Sequence, residues 1–268
     1  MADQRTPRSL LVTLYAAYGR EGPNPFPLAE LIRLLAALDV DARSVRSAVS
    51  ALEQRGLLIL EPDARGATAY ALSADARQLL DDSDRRIYDR HTPRLADGWV
   101  LAVFCVPDAE DRKHQLLRSQ LARLGFGTAA PEVWIAPARL YEETRHTLRR
   151  LQLDPYVELF RGEHLGFAAT GEAVASWWDL GAIAKQHEAF LDEQEPVLRE
   201  RSLGRATVPE GAFRDYLLAL DSWRRLPYVD PELPIELLPD GWPGGRSAEV
   251  FAALHELLRD AGALFVEE

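Results

Sequence analysis

The order of helix-like and strand-like segments in the first 72 residues constrains the fold most strongly. The apolar run Ser9–Tyr18 predicts a helix that ends at Gly19, and the apolar spacing within Leu28–Leu38 predicts a second helix. Asp41 is a suitable N-cap for a third helix that runs to Arg55 before Gly56. The two β-prone runs LLILE and TAYAL flank PDARG, whose Pro and Gly suit a hairpin turn. Three helices followed by a hairpin are typical of a winged helix-turn-helix domain.

The middle of the chain alternates strands and helices in a different order. The buried-strand run WVLAVFCVP precedes a helix over Arg112–Leu124, two short strands in FGTAAPEVWIAP, a helix over Tyr141–Leu151 and the strand YVELF. This βαββαβ order predicts a ferredoxin-like domain. The segment after about Glu172 is rich in helices. The sequence therefore predicts an α+β multidomain protein with a winged helix over residues 1–92, a ferredoxin-like middle domain over 93–170 and a helical C-terminal domain over 171–268.

Composition excludes several classes of protein. Hydrophobic residues make up 47% of the 268 residues and charged residues 27%, which argues against general disorder. The single cysteine, Cys105, excludes an internal disulfide and any cysteine-rich metal site within one chain. No apolar run reaches the length of a membrane span, and the N-terminus lacks the layout of a signal peptide. We expect a cytoplasmic protein with no membrane partner.

The net charge of −11 is unevenly distributed along the chain. Residues 1–90 have a net charge of −1, residues 91–170 of 0 and residues 171–268 of −10, counting Lys and Arg against Asp and Glu. Almost all of the net negative charge therefore lies in the last third of the chain. The first two thirds can still approach a polyanion through local basic patches.

The third predicted helix has two distinct faces. At about 100° per residue, Val45, Ala48, Val49 and Leu52 fall on one side. The opposite side combines arginines with short hydroxyl side chains, and arginine can bond guanine while serine can bond a base edge or a phosphate. Arg65 lies in the hairpin turn, where a wing would meet phosphate or the minor groove. The candidate DNA-binding residues are Arg43, Ser44, Arg46, Ser47, Ser50 and Arg65, with Gln54 on the same face. Any surface helix also turns polar residues outward, so the alternative is a solvated helix without a nucleic-acid partner.

Several stretches of the sequence resemble the PaaX-type transcriptional repressors, which are named for phenylacetic acid catabolism. The resemblance extends essentially from end to end. Its most specific part is the Pro and Trp spacing of DPELPIELLPDGWPG at 230–244. The others are VRSAVSAL–GLL at 45–58, RGATAYALS at 65–73, DGWVLAVF at 97–104, LGFG at 124–127, VWIAP at 133–137 and WDL at 178–180.

The resemblance implies the same three domains and dimeric binding to operator DNA. Because one short reading helix covers only a few base pairs, we expect a homodimer on an inverted repeat. The resemblance also implies release from DNA by an aryl-CoA thioester such as phenylacetyl-CoA. The sequence departs from the usual family pattern at VRSA instead of VRTA, at Ala51 instead of an arginine, and at His187 instead of an aromatic hydroxyl. In the wing, Asp63 and Ala67 leave Arg65 as the one basic residue near the Gly.

The last third of the chain supplies the candidate effector residues. Aromatic side chains could line a slot for an acyl group, and two arginines could meet the phosphates of CoA. We expect a pocket between the middle and C-terminal domains lined by some of Trp178, Trp223, Arg224, Arg225 and Tyr228, which belong to a wider aromatic group with Trp177 and Trp242. The alternatives are that these aromatics form a hydrophobic core, or that the domain is a protein-interaction scaffold without a small-molecule ligand.

The sequence predicts no enzyme activity, no catalytic or metal-binding residues and no cofactor. The six histidines are scattered without metal-binding spacing, and no GxSxG, GxxxxGK[ST] or GxGxxG motif occurs. Cys105 lies in an apolar strand run, which predicts a buried and inert thiol. The enzyme alternative is a ferredoxin-like, metal-dependent nuclease. Such a nuclease carries a metal-binding Asp in its first strand, whereas Asp108 follows the end of this strand.

Overall fold

The structure, a computed structural model, describes residues 5–19, 25–63, 66–88, 93–203 and 208–268. Its fold is mixed α+β, with a three-stranded and a four-stranded antiparallel sheet surrounded by helices. The chain forms two compact units. The first combines Met1–Asp89 with Phe190–Arg224 and Arg246–Glu268, and the second combines Arg90–Ala189 with Arg225–Gly245.

The N-terminal elements of the first unit include the three predicted helices and the two predicted hairpin strands. They are α1 (Pro7–Tyr18), β1 (Phe26–Pro27), α2 (Leu28–Ala36), α3 (Ala42–Gln54), β2 (Leu58–Pro62), β3 (Thr68–Leu72) and α4 (Ala74–Tyr88). The strand β1 was not predicted. It pairs with β3 at the edge of the sheet, whose order is β1-β3-β2. A strand of two residues is too short to show alternation, so no pattern in the sequence predicts it.

One hydrophobic core joins these elements to the C-terminal part of the first unit. Leu11, Leu31, Val45 and Leu52 from the three N-terminal helices pack in a single cluster with Phe213 from a later helix. That later helix is α9 (Pro209–Trp223), and α11 (Gly244–Glu267) contributes further side chains at its C-terminal end. The N-terminal helices therefore share their core with residues about 200 positions later in the sequence.

The second unit contains the predicted βαββαβ order. Its elements are β4 (Trp99–Phe104), α5 (Asp111–Arg123), β5 (Gly127–Ala130), β6 (Val133–Pro137), α6 (Tyr141–Arg150) and β7 (Val157–Gly162). The strand order is β5-β6-β4-β7, so the first and third strands of the motif lie at the centre of the sheet. Alternate residues of β4 and β6 belong to two separate cores, one on each face of the sheet.

The helices after β7 differ widely in length. The helix α7 (Thr170–Trp177) is short, whereas α8 (Leu180–Ser202) is long and continues through Pro196. The four-residue helix α10 (Leu226–Val229) then precedes a loop rich in proline. Within the described residues, no helix combines the length and the apolar composition needed to span a bilayer.

The prediction of a buried Cys105 thiol is wrong, because this side chain is exposed. The strand β4 ends one residue earlier, at Phe104, and the backbone N–H of Cys105 donates to the carbonyl of Tyr156. An apolar run in the sequence does not specify where a strand ends, so it misplaced this residue inside the sheet.

Candidate nucleic-acid interface

The helix α3 begins at a well-formed N-cap. One carboxylate oxygen of Asp41 accepts hydrogen bonds from the backbone N–H groups of Arg43 and Ser44, at 2.9 and 3.0 Å. The Ser44 hydroxyl donates to the other oxygen at 2.7 Å. The hydrogen bond from this hydroxyl, followed by those from the backbone, lowers the pKa of Asp41. The cap therefore stays ionised at neutral pH, next to the positive end of the helix dipole.

The buried face of α3 consists of the predicted apolar residues Val45, Ala48, Val49 and Leu52. They pack in the N-terminal core and fix the rotation of the helix about its axis. As a result, Arg43, Arg46, Ser47 and Ser50 are all exposed on the opposite side, where Gln54 is exposed as well. Within the described residues, no acidic side chain shares the centre of this surface, because Asp41 lies at the helix start and Glu53 at its margin.

Two of the predicted DNA-binding residues differ from the others. Ser44 is half-buried and its hydroxyl already bonds Asp41, so its local role is to close the N-cap. Arg65 lies outside the described residues. On either side of it, the backbone N–H of Ala67 donates to the Asp63 carboxylate and Gly66 has a positive φ of 79°. These contacts belong to the described residues that flank positions 64 and 65.

A buried polar network connects α1, which packs against α3, to α9. The Asp221 carboxylate is fully buried and accepts hydrogen bonds from the hydroxyls of Ser9 and Thr13, the latter at 2.8 Å. Arg224 donates to the Thr13 oxygen at 3.1 Å. Because a buried carboxylate is costly unless it is hydrogen-bonded, this network fixes α1 relative to α9.

Two further contacts support α2 and the turn that leads into α3. Arg214 of α9 donates to the Ala37 carbonyl at 2.9 Å and to the Asp39 carboxylate at 2.7 Å. Asp39 has a φ of 60°, in the left-handed region that is unfavourable for a non-glycine residue. Arg33 of α2 donates to the carbonyl of Phe265 in α11 at 2.9 Å, with its guanidinium 4.6 Å from the phenyl ring centroid.

The predicted effector residues do not lie in one unit. Trp223 and Arg224 belong to the first unit, whereas Trp178, Arg225 and Tyr228 belong to the second. Both tryptophans are buried, with their indole N–H groups bonded to backbone carbonyls. The partner of Trp178 is Gly125 at 3.1 Å and that of Trp223 is Ile87 at 3.0 Å. These bonds give both indoles a structural role, and a ligand pocket formed by the five residues stays a prediction.

The groups considered for enzyme chemistry remain dispersed. Among the described residues, His, Cys, Asp and Glu side chains form no group of three or more that could hold a metal ion. Asp108 lies in a 3₁₀ turn after β4, as its sequence position indicated. The exposed Cys105 has no histidine among its hydrogen-bonding partners in the described part of the chain.

Comparisons with known proteins agree with this architecture. The fold belongs to the mixed α+β class, with one small sheet beside three N-terminal helices and a second sheet of the βαββαβ type. The chain is a member of the PaaX family. Three family profiles match it in succession, described as PaaX-like protein (residues 6–76), PaaX protein central Cas2-like domain (92–174) and PaaX-like protein C-terminal domain (178–268).

Two individual proteins are similar over nearly the whole chain. The transcriptional repressor PaaX of Escherichia coli (strain K12) is 27% identical over 264 residues, which cover 97% of this chain and 83% of the repressor. The solved structure of the uncharacterized protein Rv0674 from Mycobacterium tuberculosis has a TM-score of 0.62 at 22% identity and covers 98% of this chain and 97% of its own. The similarity to Rv0674 is evidence for the fold only.

Proposed function

We propose that this protein is a transcriptional repressor that binds operator DNA through its N-terminal region, arranged as a winged helix-turn-helix. The exposed surface of α3 carries the proposal, because Arg43, Arg46, Ser47 and Ser50 project from a helix whose opposite face is buried. Such a helix fits the major groove, where arginine bonds guanine in a bidentate manner and serine bonds a base edge or phosphate. The similarity to a transcriptional repressor supports the same assignment.

Binding as a homodimer to an inverted repeat is part of the proposal. One helix covers only a few base pairs, which gives too little specificity for a genome. Two recognition helices with centres about 34–36 Å apart, or a multiple of that spacing, would read two half-sites of a palindrome. The protein would act in the cytoplasm, where its DNA target lies.

The effector is proposed to be a CoA thioester of an aromatic acid, with phenylacetyl-CoA as the first compound to test. The support comes from the family, which is named for phenylacetic acid catabolism, and the regulated genes would then be an aromatic-acid catabolic operon. Release of most of the protein from DNA requires about a hundredfold preference of the effector for the unbound conformation, or about 2.7 kcal/mol. Calorimetry with phenylacetyl-CoA, free phenylacetate and CoA separates the contributions of the aromatic acyl group and of the CoA moiety to binding.

Variants of α3 test DNA recognition directly. A binding site is first selected from a library of random duplexes with the full-length protein, and affinity is then measured by fluorescence anisotropy. Replacement of Arg46 by Ala should cost roughly 1–3 kcal/mol on the selected site and much less on random DNA, because a base contact is lost. The Arg65→Ala change should weaken binding to the selected site and to random DNA about equally if Arg65 contacts only phosphate.

Arg55→Ala is the matched control, because Arg55 is an exposed arginine at the C-cap of the same helix, away from the outward face. It should leave the discrimination between selected and random DNA unchanged. An Arg43→Ala/Arg46→Ala double variant with wild-type discrimination would contradict the assignment of α3, and selection without any enriched sequence would contradict specific recognition altogether.

A further inference from the structure

A second basic surface lies on the four-stranded unit, far along the sequence from α3. Both helices of the βαββαβ motif cover the same face of its sheet, because Leu117 and Leu121 of α5 share one core with Leu148 of α6. The strands β4 and β6 supply Val100, Ala102 and Trp134 to that core. The outer sides of α5 and α6 therefore lie on the same side of the sheet.

Positive charge dominates α5 and α6. The two helices carry seven Lys and Arg residues against three Asp and Glu, although the whole chain has a net charge of −11. Among the described residues, five of these arginines are exposed and have no carboxylate within ion-pair distance. We call these residues the arginine layer: Arg112, Arg118, Arg123, Arg149 and Arg150. The other two basic residues are already neutralised, since Lys113 pairs with Glu110 and Arg145 with Glu142.

The spacing of the arginine layer suits an extended polyanion. Arg112 and Arg123 are 11 residues apart, which places them on nearly the same line of α5, about 16 Å apart along the axis. Leu116 and Ser119 lie between them on that line and leave it open to solvent. Arg149 and Arg150 add two charges from α6. One phosphate group cannot reach charges separated by this distance, whereas duplex DNA carries a negative charge per about 1.7 Å of its axis.

We propose that the arginine layer binds the sugar–phosphate backbone of double-stranded DNA without reading its bases. The proposal rests on the proposed function, since it assigns a second contact to a protein that already binds DNA. Arg112 and Arg123 stand about 16 Å apart along α5, a separation that spans several phosphates of one strand rather than one base pair. The contribution of the arginine layer is therefore electrostatic and independent of sequence, and it strengthens with decreasing salt.

The test measures how salt affects binding of the full-length protein to a random-sequence duplex of about 40 base pairs, between about 50 and 200 mM salt. The Arg112→Ala/Arg123→Ala variant should reduce the slope of log K against log salt by about 2, because two phosphate contacts are lost. Its affinity at about 0.1 M salt should fall roughly tenfold to a hundredfold. The Arg112→Lys/Arg123→Lys variant keeps both charges and should retain most of the slope.

The control variant Arg199→Ala/Arg246→Ala removes the same formal charge from α8 and α11, where Glu195 and Glu249 bond Arg246. It should leave the slope close to the wild-type value. The arginine layer is not a DNA contact if Arg112→Ala/Arg123→Ala has the same salt slope as this control. The same conclusion follows if the Arg112→Lys/Arg123→Lys variant loses as much of the salt slope as the alanine variant. If Arg43→Ala/Arg46→Ala still abolishes discrimination in that case, the proposed function survives, whereas a wild-type protein that binds no DNA contradicts both.

Discussion

The two compact units use the C-terminal part of the chain in different ways, and two buried aspartates show how. Asp221 lies in the first unit, where its carboxylate accepts from the hydroxyls of Ser9 and Thr13. Asp230 follows nine residues later and lies in the second unit, with Oδ2 2.9 Å from Nε2 of His187. The first carboxylate fixes the N-terminal helix α1, whereas the second contacts His187, in the part of α8 that belongs to the second unit.

This difference teaches that segments of the sequence and compact units do not coincide in this protein. One family profile spans residues 178–268, yet α9 and α11 complete the N-terminal core while the loop around Asp230 completes the middle one. A close approach at Gly262 illustrates the first case, because a Cβ there would lie 2.6 Å from the Tyr18 hydroxyl and 2.9 Å from Cα of Phe213. The predicted boundaries at 92/93 and 170/171 stay a prediction about the sequence segments.

The largest expected effect comes from truncation of Phe213. This side chain is fully buried in the core of the N-terminal helices, and its replacement by Ala should cost about 3–5 kcal/mol of stability. Hydrogen exchange of the full-length variant should show faster exchange in α1 and α3, because the lost contacts belong to their core. Urea denaturation followed by circular dichroism gives the total cost.

Leu233→Ala is the matched comparison from the same C-terminal segment. Leu233 is buried against Trp99 and Ile135 in the second unit, so its truncation should accelerate exchange in β4 and β6. If both variants accelerate exchange in the same elements, the division of the C-terminal segment between two cores is wrong.

A smaller effect is expected from loss of the Asp221 carboxylate. Asp221→Ala leaves the buried Thr13 hydroxyl without its acceptor and should cost about 2–3 kcal/mol, whereas Asp221→Asn retains an acceptor oxygen and should cost less. Asp215→Ala serves as the control, because Asp215 of α9 is partly exposed and forms an ion pair with Arg201. Equal destabilisation by Asp215→Ala and Asp221→Ala in thermal denaturation would show that the buried network stabilises the fold no more than a partly exposed ion pair does.

Local signals in the sequence were sufficient to predict most elements of the N-terminal region. The N-cap at Asp41 and the apolar spacing from Val45 to Leu52 depend on neighbours within a few residues, and both predictions of α3 agree with the structure. The βαββαβ order was predictable for the same reason, since each strand and helix has its own periodicity and its own glycine or proline boundary. The exposed arginines of α3 follow directly from the buried face opposite them.

Long-range pairing could not be predicted in this way. Nothing in the sequence indicates that β1 would pair with Tyr70 and Ala69. Nothing in it indicates either that Trp178 and Trp223 would pack against different groups of residues. Trp223 packs against Phe190 and Phe251, whereas Trp178 packs near Trp99. Aromatic residues predict burial but carry no information about which core they join, so the grouping of Trp178 with Trp223 had no physical basis in the sequence.

The smallest expected effect concerns Arg214, which connects the C-terminal helix α9 to the turn before α3. Arg214→Ala removes hydrogen bonds to the Ala37 carbonyl and the Asp39 carboxylate, both at a partly exposed site, and should cost about 0.5–1.5 kcal/mol. Because Asp39 has a positive φ, loss of this support should also loosen the turn that orients α3, and the affinity for the selected DNA site should fall a few-fold. Arg214→Lys can keep one of the two hydrogen bonds, so its stability and DNA affinity should lie between those of Arg214→Ala and of the wild type. A loss of stability in Arg214→Ala without any loss of DNA affinity would show that α9 supports the fold of the first unit but does not position α3 for DNA binding.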